Sequence, residues 1–108
     1  MERHEFNRRT SKIFANLVDT FDEIDPDVVE AEFNGDILKI LFPDGVQFIL
    51  NTQSAAHQIW LAGQSKGWHF DFDPTRDGWY CKKSGDELLA TLTEMVSGKL
   101  GPSHPFTL

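Results

Sequence analysis

Phe6, Thr10, Ile13, Phe14, Leu17, Val18, Phe21 and Ile24 follow one another at steps of three and four. That spacing advances about 100° per residue, so it predicts one helix with a single core-facing stripe. Glu5, Arg8, Lys12, Asn16, Asp19, Asp22 and Glu23 fall on the opposite side. Asp25-Pro26-Asp27 ends the helix, because proline disfavours a helical residue before it. The period then changes to two. Val29, Ala31 and Phe33 alternate with Glu30 and Glu32, the signature of a strand with one wet face. Asn34-Gly35-Asp36 is a turn, Ile37 to Phe42 a strand, Pro43-Asp44-Gly45 a turn, and Val46 to Asn51 a strand. Gln58 to Ala62, Trp68 to Asp73 and Gly78 to Cys81 read as three more. Ser84-Gly85-Asp86-Glu87 has capping-box spacing, which predicts Ser84 as the N-cap of a closing helix. Leu88, Leu89, Leu92, Met95 and Val96 form its apolar face, with Gly98 or Gly101 as its C-cap. Gly101 to Leu108 is an irregular tail.

Helix, a run of antiparallel strands, helix: this order predicts an α+β two-layer sandwich. The sheet of about six strands is covered on one face by the N- and C-terminal helices, leaving its other face to water or a partner. The chain has 108 residues, is 40% hydrophobic and carries nine Phe and three Trp, which suits a single domain over residues 1–108 with a modest core. No run reaches the length of a membrane span. The N-terminus mixes both signs of charge, so it reads as neither a signal peptide nor an intact transit peptide. Cys81 is the single cysteine, which excludes an intrachain disulfide and fits a reducing, cytoplasmic setting. With no base or second cysteine near it in sequence, Cys81 reads as a buried, inert thiol.

Charge sharpens this picture. Asp19, Asp22, Glu23, Asp25, Asp27, Glu30 and Glu32 place seven carboxylates in one stretch without a Lys or Arg, and the other 94 residues carry ten acids and ten bases. The formal charge of −7 is therefore local. The placement is unfavourable in isolation. Carboxylates in a helix's last turn face its negative dipole end, and like-charged i,i+4 pairs such as Asp19 and Glu23 repel. Solubility alone does not require excluding every base, so the ridge predicts an external counter-charge: a hard cation or a basic protein surface. Carboxylates suit iron and other hard divalent cations. The spacing matches no EF-hand and offers no tight His/Cys set for zinc, so a site here is open and weakly selective. The acidic balance argues against nucleic acid.

If Ile59 and Leu61 face the helices, Gln58 and Trp60 stand on the open sheet face, and a Trp ringed by amides has the character of an interaction hot spot. His57 shares the parity of Ile59; His69 and His104 read as ordinary surface histidines. No G-x-S-x-G, HExxH, P-loop or dinucleotide pattern appears, so the chain is not read as an enzyme.

Taken together, Leu50-Asn51-x-Gln53, His57-Gln58-Ile59-Trp60-Leu61-Ala62, Gly67-Trp68-His69-Phe70-Asp71 and Gly78-Trp79-Tyr80-Cys81-x-x-Ser84-Gly85, behind an acidic helix and strand, resemble the frataxins of the bacterial CyaY type. The resemblance runs over roughly residues 3 to 100, and its specific part is the Asn-x-Gln and Gln-x-Trp-Leu block. It implies the same helix–sheet–helix sandwich and a regulatory role in iron–sulfur cluster assembly. It implies weak binding of ferrous or ferric iron on Asp19, Asp22, Glu23, Asp25, Asp27, Glu30 and Glu32, and docking on a cysteine desulfurase and its scaffold protein through Asn51, Gln53, Gln58 and Trp60. Bacterial members often carry a histidine where this chain has Asn7; His4 and Glu5 are the neighbours that could take its part in metal binding, and that substitution stays open. The implied protein is a monomer, with oligomerisation under iron load left open. Two other readings remain: an acidic interaction module whose metal binding is incidental, and an iron-storing or iron-oxidising protein.

Overall fold

The computed structural model describes all residues, 1–108. Helix α1 spans Arg3–Asp22, six strands follow (β1 Glu30–Asn34, β2 Ile37–Leu41, β3 Gln47–Gln53, β4 Gln58–Gly63, β5 Lys66–Asp73, β6 Gly78–Cys81), and helix α2 spans Leu88–Leu100. A single 3-10 turn, Ser54–Ala56, joins β3 to β4. The strands pair in chain order as an all-antiparallel meander with β1 and β6 at the edges. This is the predicted two-layer α+β sandwich.

Alternation sorts each strand. Leu38, Ile40, Phe48, Leu50, Ile59, Leu61, Phe70, Trp79 and Cys81 are buried beneath the helices. From α1, Phe6, Thr10, Phe14, Leu17 and Phe21 of the predicted stripe are buried and Ile13 and Val18 partly so, while Ile24 packs on the core from just past the end of the helix. The Phe6 ring meets Trp79 edge-on at 5.9 Å and Phe14 meets Phe33 at 5.7 Å, so α1 bridges both edges of the sheet. Below α2, β4 approaches so closely that a Cβ on Gly63 would stand 2.6 Å from Phe48 Cδ1 and 2.7 Å from Met95 Cε. Gly63→Ala is therefore an overpacking substitution. We expect it to cost about 1–3 kcal/mol, read from the urea midpoint.

The tail is not loose. Phe106 stacks on Phe21 at 5.3 Å, the Ser97 hydroxyl donates to the Phe106 carbonyl at 2.9 Å, and the Leu108 amide donates to Thr93 Oγ1 at 3.3 Å.

One local expectation is corrected. Ser84 does not cap α2. Glu87 does, its carboxylate accepting from the Leu89 amide at 2.8 Å and the Ala90 amide at 2.9 Å. The cause is the sheet: the Cys81 amide donates to the Asp86 carbonyl and Tyr80 bridges Glu87, so this segment is extended and cannot start a helix. Ser84 Oγ instead accepts from the Asp86 amide at 3.3 Å. The thiol of Cys81 is buried, as expected. Burial raises it, yet hydrogen bonds from Ser84 and the Lys83 backbone outweigh burial and hold it below its ordinary value.

Candidate functional site

The acidic stretch folds into the edge of the sandwich. Asp19 and Asp22 close α1, with Glu23 as its C-cap and no base in the last turn. Asp25 Oδ1 accepts from the Asp27 amide at 2.9 Å, an Asx turn that swings the chain toward β1. Glu30 and Glu32 follow on β1. All seven carboxylates are exposed, and none forms an ion pair. They do not focus on one point. Ala31 packs toward the core and Phe33 meets Phe14, so Glu30 and Glu32 stand on the opposite, open face of the sheet. The helix carboxylates line the other layer, and the ridge wraps over the edge. Nowhere in the molecule do three His, Cys, Asp or Glu side chains converge as a metal cluster. The ridge therefore offers carboxylate oxygens, which suit hard cations, without a preformed set of three such ligands.

The ridge lacks bases in sequence but not wholly in space: Lys39 lies directly across from Glu32 in the β1–β2 register. His4 and Glu5 are not brought to the ridge. They occupy the first turn of α1, about 22 Å along the axis from Asp19 at 1.5 Å per residue. The Glu5 carboxylate is also engaged, accepting from Arg9 Nε at 2.9 Å, a hydrogen bond that holds its pKa below the ordinary value.

The open face is built by register. Ile37, Asn51, Trp60 and His69 form one cross-strand row, and Gln53, Gln58, Asp71 and Tyr80 form the next. This works because β3 continues to Gln53, two residues beyond the expected end, placing Asn51 and Gln53 on the face of Trp60. Gln53 Nε2 donates to Asn51 Oδ1 at 3.3 Å. The Trp60 indole N–H donates to Gln58 Oε1 at 2.8 Å, and Gln58 Nε2 donates to Asp71 Oδ1 at 3.2 Å. His69 lies flat on the Trp60 ring, centroids 4.0 Å apart and planes 6° from parallel. Trp60 therefore stands on the open face, the placement expected if Ile59 and Leu61 face the helices, but half-buried and not fully exposed.

His69 and Asp71 belong to this constellation and were not among the predicted site residues. The signal was present: in Trp68-His69-Phe70-Asp71-Phe72 the polar residues alternate with aromatics, and a β4–β5 hairpin puts them beside Trp60 and Gln58. At the neighbouring edge the Arg76 guanidinium lies 3.5 Å over the Tyr80 ring and pairs with Asp73 at 2.8 Å, which holds the Asp73 carboxyl below its ordinary value. The arrangement is a mixed amide–aromatic surface, bordered on the β1 side by the ridge.

No helix is long and apolar enough to cross a membrane. Among solved structures, the fold resembles a frataxin of the CyaY family from Psychromonas ingrahamii, with a TM-score of 0.85 and 25% identity over 99% of this chain and 97% of that one. It also resembles the trimeric frataxin of the yeast Saccharomyces cerevisiae complexed with ferrous iron, with a TM-score of 0.63 and 23% identity over 93% of this chain and 86% of that one. The frataxin-like domain family matches residues 1–102, nearly the whole sandwich, and the chain belongs to that family.

Proposed function

We propose that this protein is a cytoplasmic iron-binding regulator of iron–sulfur cluster assembly. It acts by docking on a cysteine desulfurase and its scaffold protein, without chemistry of its own. Family membership supports an iron-related role. The observation that carries the rest is the juxtaposition on one molecule of seven exposed carboxylates without an ion pair and the Trp60 face beside them. The ridge supplies charge for ferrous or ferric iron and for a basic surface on the desulfurase. Asn51, Gln53, Gln58 and Trp60 supply directional contacts for the scaffold. The chain is a monomer in this reading.

A second reading has its own support. Because no three ligands converge, the ridge also suits a purely protein-binding role in which metal is incidental. Affinity for the desulfurase–scaffold complex, measured at several salt concentrations with and without ferrous iron, separates the two. Iron-dependent affinity on top of the salt dependence supports the first; salt dependence alone supports the second. No binding under any condition contradicts both. An iron-oxidising role would show as turnover of ferrous iron under air.

A further inference from the structure

The Trp60 side chain is restrained on two sides, and the chemistry of its neighbours dictates how. An indole N–H only donates, and a carboxylate only accepts. Gln58 sits between them, so its amide has one satisfying orientation: Oε1 toward Trp60 Nε1 at 2.8 Å and Nε2 toward Asp71 Oδ1 at 3.2 Å. Asp71 therefore sets the Gln58 amide, and the Gln58 amide sets the edge of the indole. His69, from the same strand as Asp71, closes one ring face at 4.0 Å. Trp60, Gln58 and Asp71 are all half-buried, so these partners are not freely exchanged for water.

We infer that Asp71 and His69 are positioning residues that hold Trp60 in its docking orientation before the partner arrives. This rests on the docking reading above. A surface Trp left free must be ordered on binding, and each immobilised side chain weakens association by an amount equivalent to about two- to tenfold in affinity. The Asp71–Gln58–Trp60 relay orders the indole in advance. Neither Asp71 nor His69 needs to touch the partner for this effect.

The test uses the full chain, with the Trp60 indole N–H resonance assigned by its loss in Trp60→Phe. In Asp71→Ala, that resonance should move upfield and its proton exchange faster with solvent, while the urea midpoint stays close to wild type. Affinity for the desulfurase–scaffold complex should fall about two- to tenfold. Asp71→Asn should restore both readouts, because its Oδ1 still accepts from Gln58. His69→Ala keeps the relay and should instead remove the ring-current shifts of the Trp60 ring protons. An indole resonance unchanged in Asp71→Ala, or an Asp71→Asn variant as impaired as Asp71→Ala, overturns the proposal. Should the wild-type chain bind neither protein, the docking reading falls on its own, and the indole resonance still decides whether Asp71 positions Trp60.

Discussion

Trp60→Ala is expected to cost about 2 kcal/mol or more in affinity for the desulfurase–scaffold complex while shifting the unfolding midpoint little. Trp79→Ala should do the reverse. Trp79 is 5% exposed and packs edge-on against Phe6 at 5.9 Å and Phe72 at 5.5 Å, so its truncation opens a core cavity. That costs about 3–5 kcal/mol of stability. Trp60 stands on the open face, and its truncation exposes one side of His69 and frees the Gln58 amide without emptying the core. The pair of variants separates a folding role from a recognition role in one urea titration and one binding isotherm. A Trp60→Ala midpoint drop as large as that of Trp79→Ala would contradict the surface assignment.

The second large effect concerns the ridge. Seven like charges crowded along one edge raise the free energy of the folded state, and Asp19 and Asp22 stand at the negative end of the α1 dipole. A cation bound only by the folded chain stabilises it by about 2.7 kcal/mol at a hundredfold excess over its dissociation constant. The midpoint should rise with millimolar divalent cation more than with NaCl of equal ionic strength. Asp22→Asn with Glu23→Gln should raise the metal-free midpoint and blunt the cation response. Neither side chain makes an ion pair, so this change removes repulsion and leaves native contacts intact. A lower midpoint in the double variant would show that these carboxylates hold the fold together.

Much of the fold was legible because burial imposes period. The α1 stripe and the Ile59/Leu61 parity each follow from one face being dry; parity alone leaves open which face of the sheet is dry, and the frataxin resemblance is what points Trp60 to the open one. What was missed lies where other forces decide. Asn51-Thr52-Gln53 carries no apolar alternation, so only its pairing with Gln58–Trp60 reveals that β3 continues. The β4–β5 hairpin turns on Gln64 and Ser65, both at positive φ (54° and 63°), without the glycine that would have announced it. The start of β5 at Lys66 was therefore hidden. Ser84 satisfied a local capping pattern, but strand-like pairing at Cys81 and Tyr80 overrode it. The ridge composition was plain in sequence, whereas its wrapping over the edge, its Lys39 neighbour and its separation from His4 needed three dimensions. Likewise the half-burial of Trp60 depends on His69, nine positions away and adjacent only through register.

The most direct test of the central claim is the rate of the cysteine desulfurase in the presence of its scaffold as this protein is titrated in, first without iron and then with ferrous iron. The account predicts a saturable change in rate that depends on iron and is lost in both Trp60→Ala and the Asp22→Asn, Glu23→Gln variant. A rate unaffected by the wild-type protein under both conditions would contradict it.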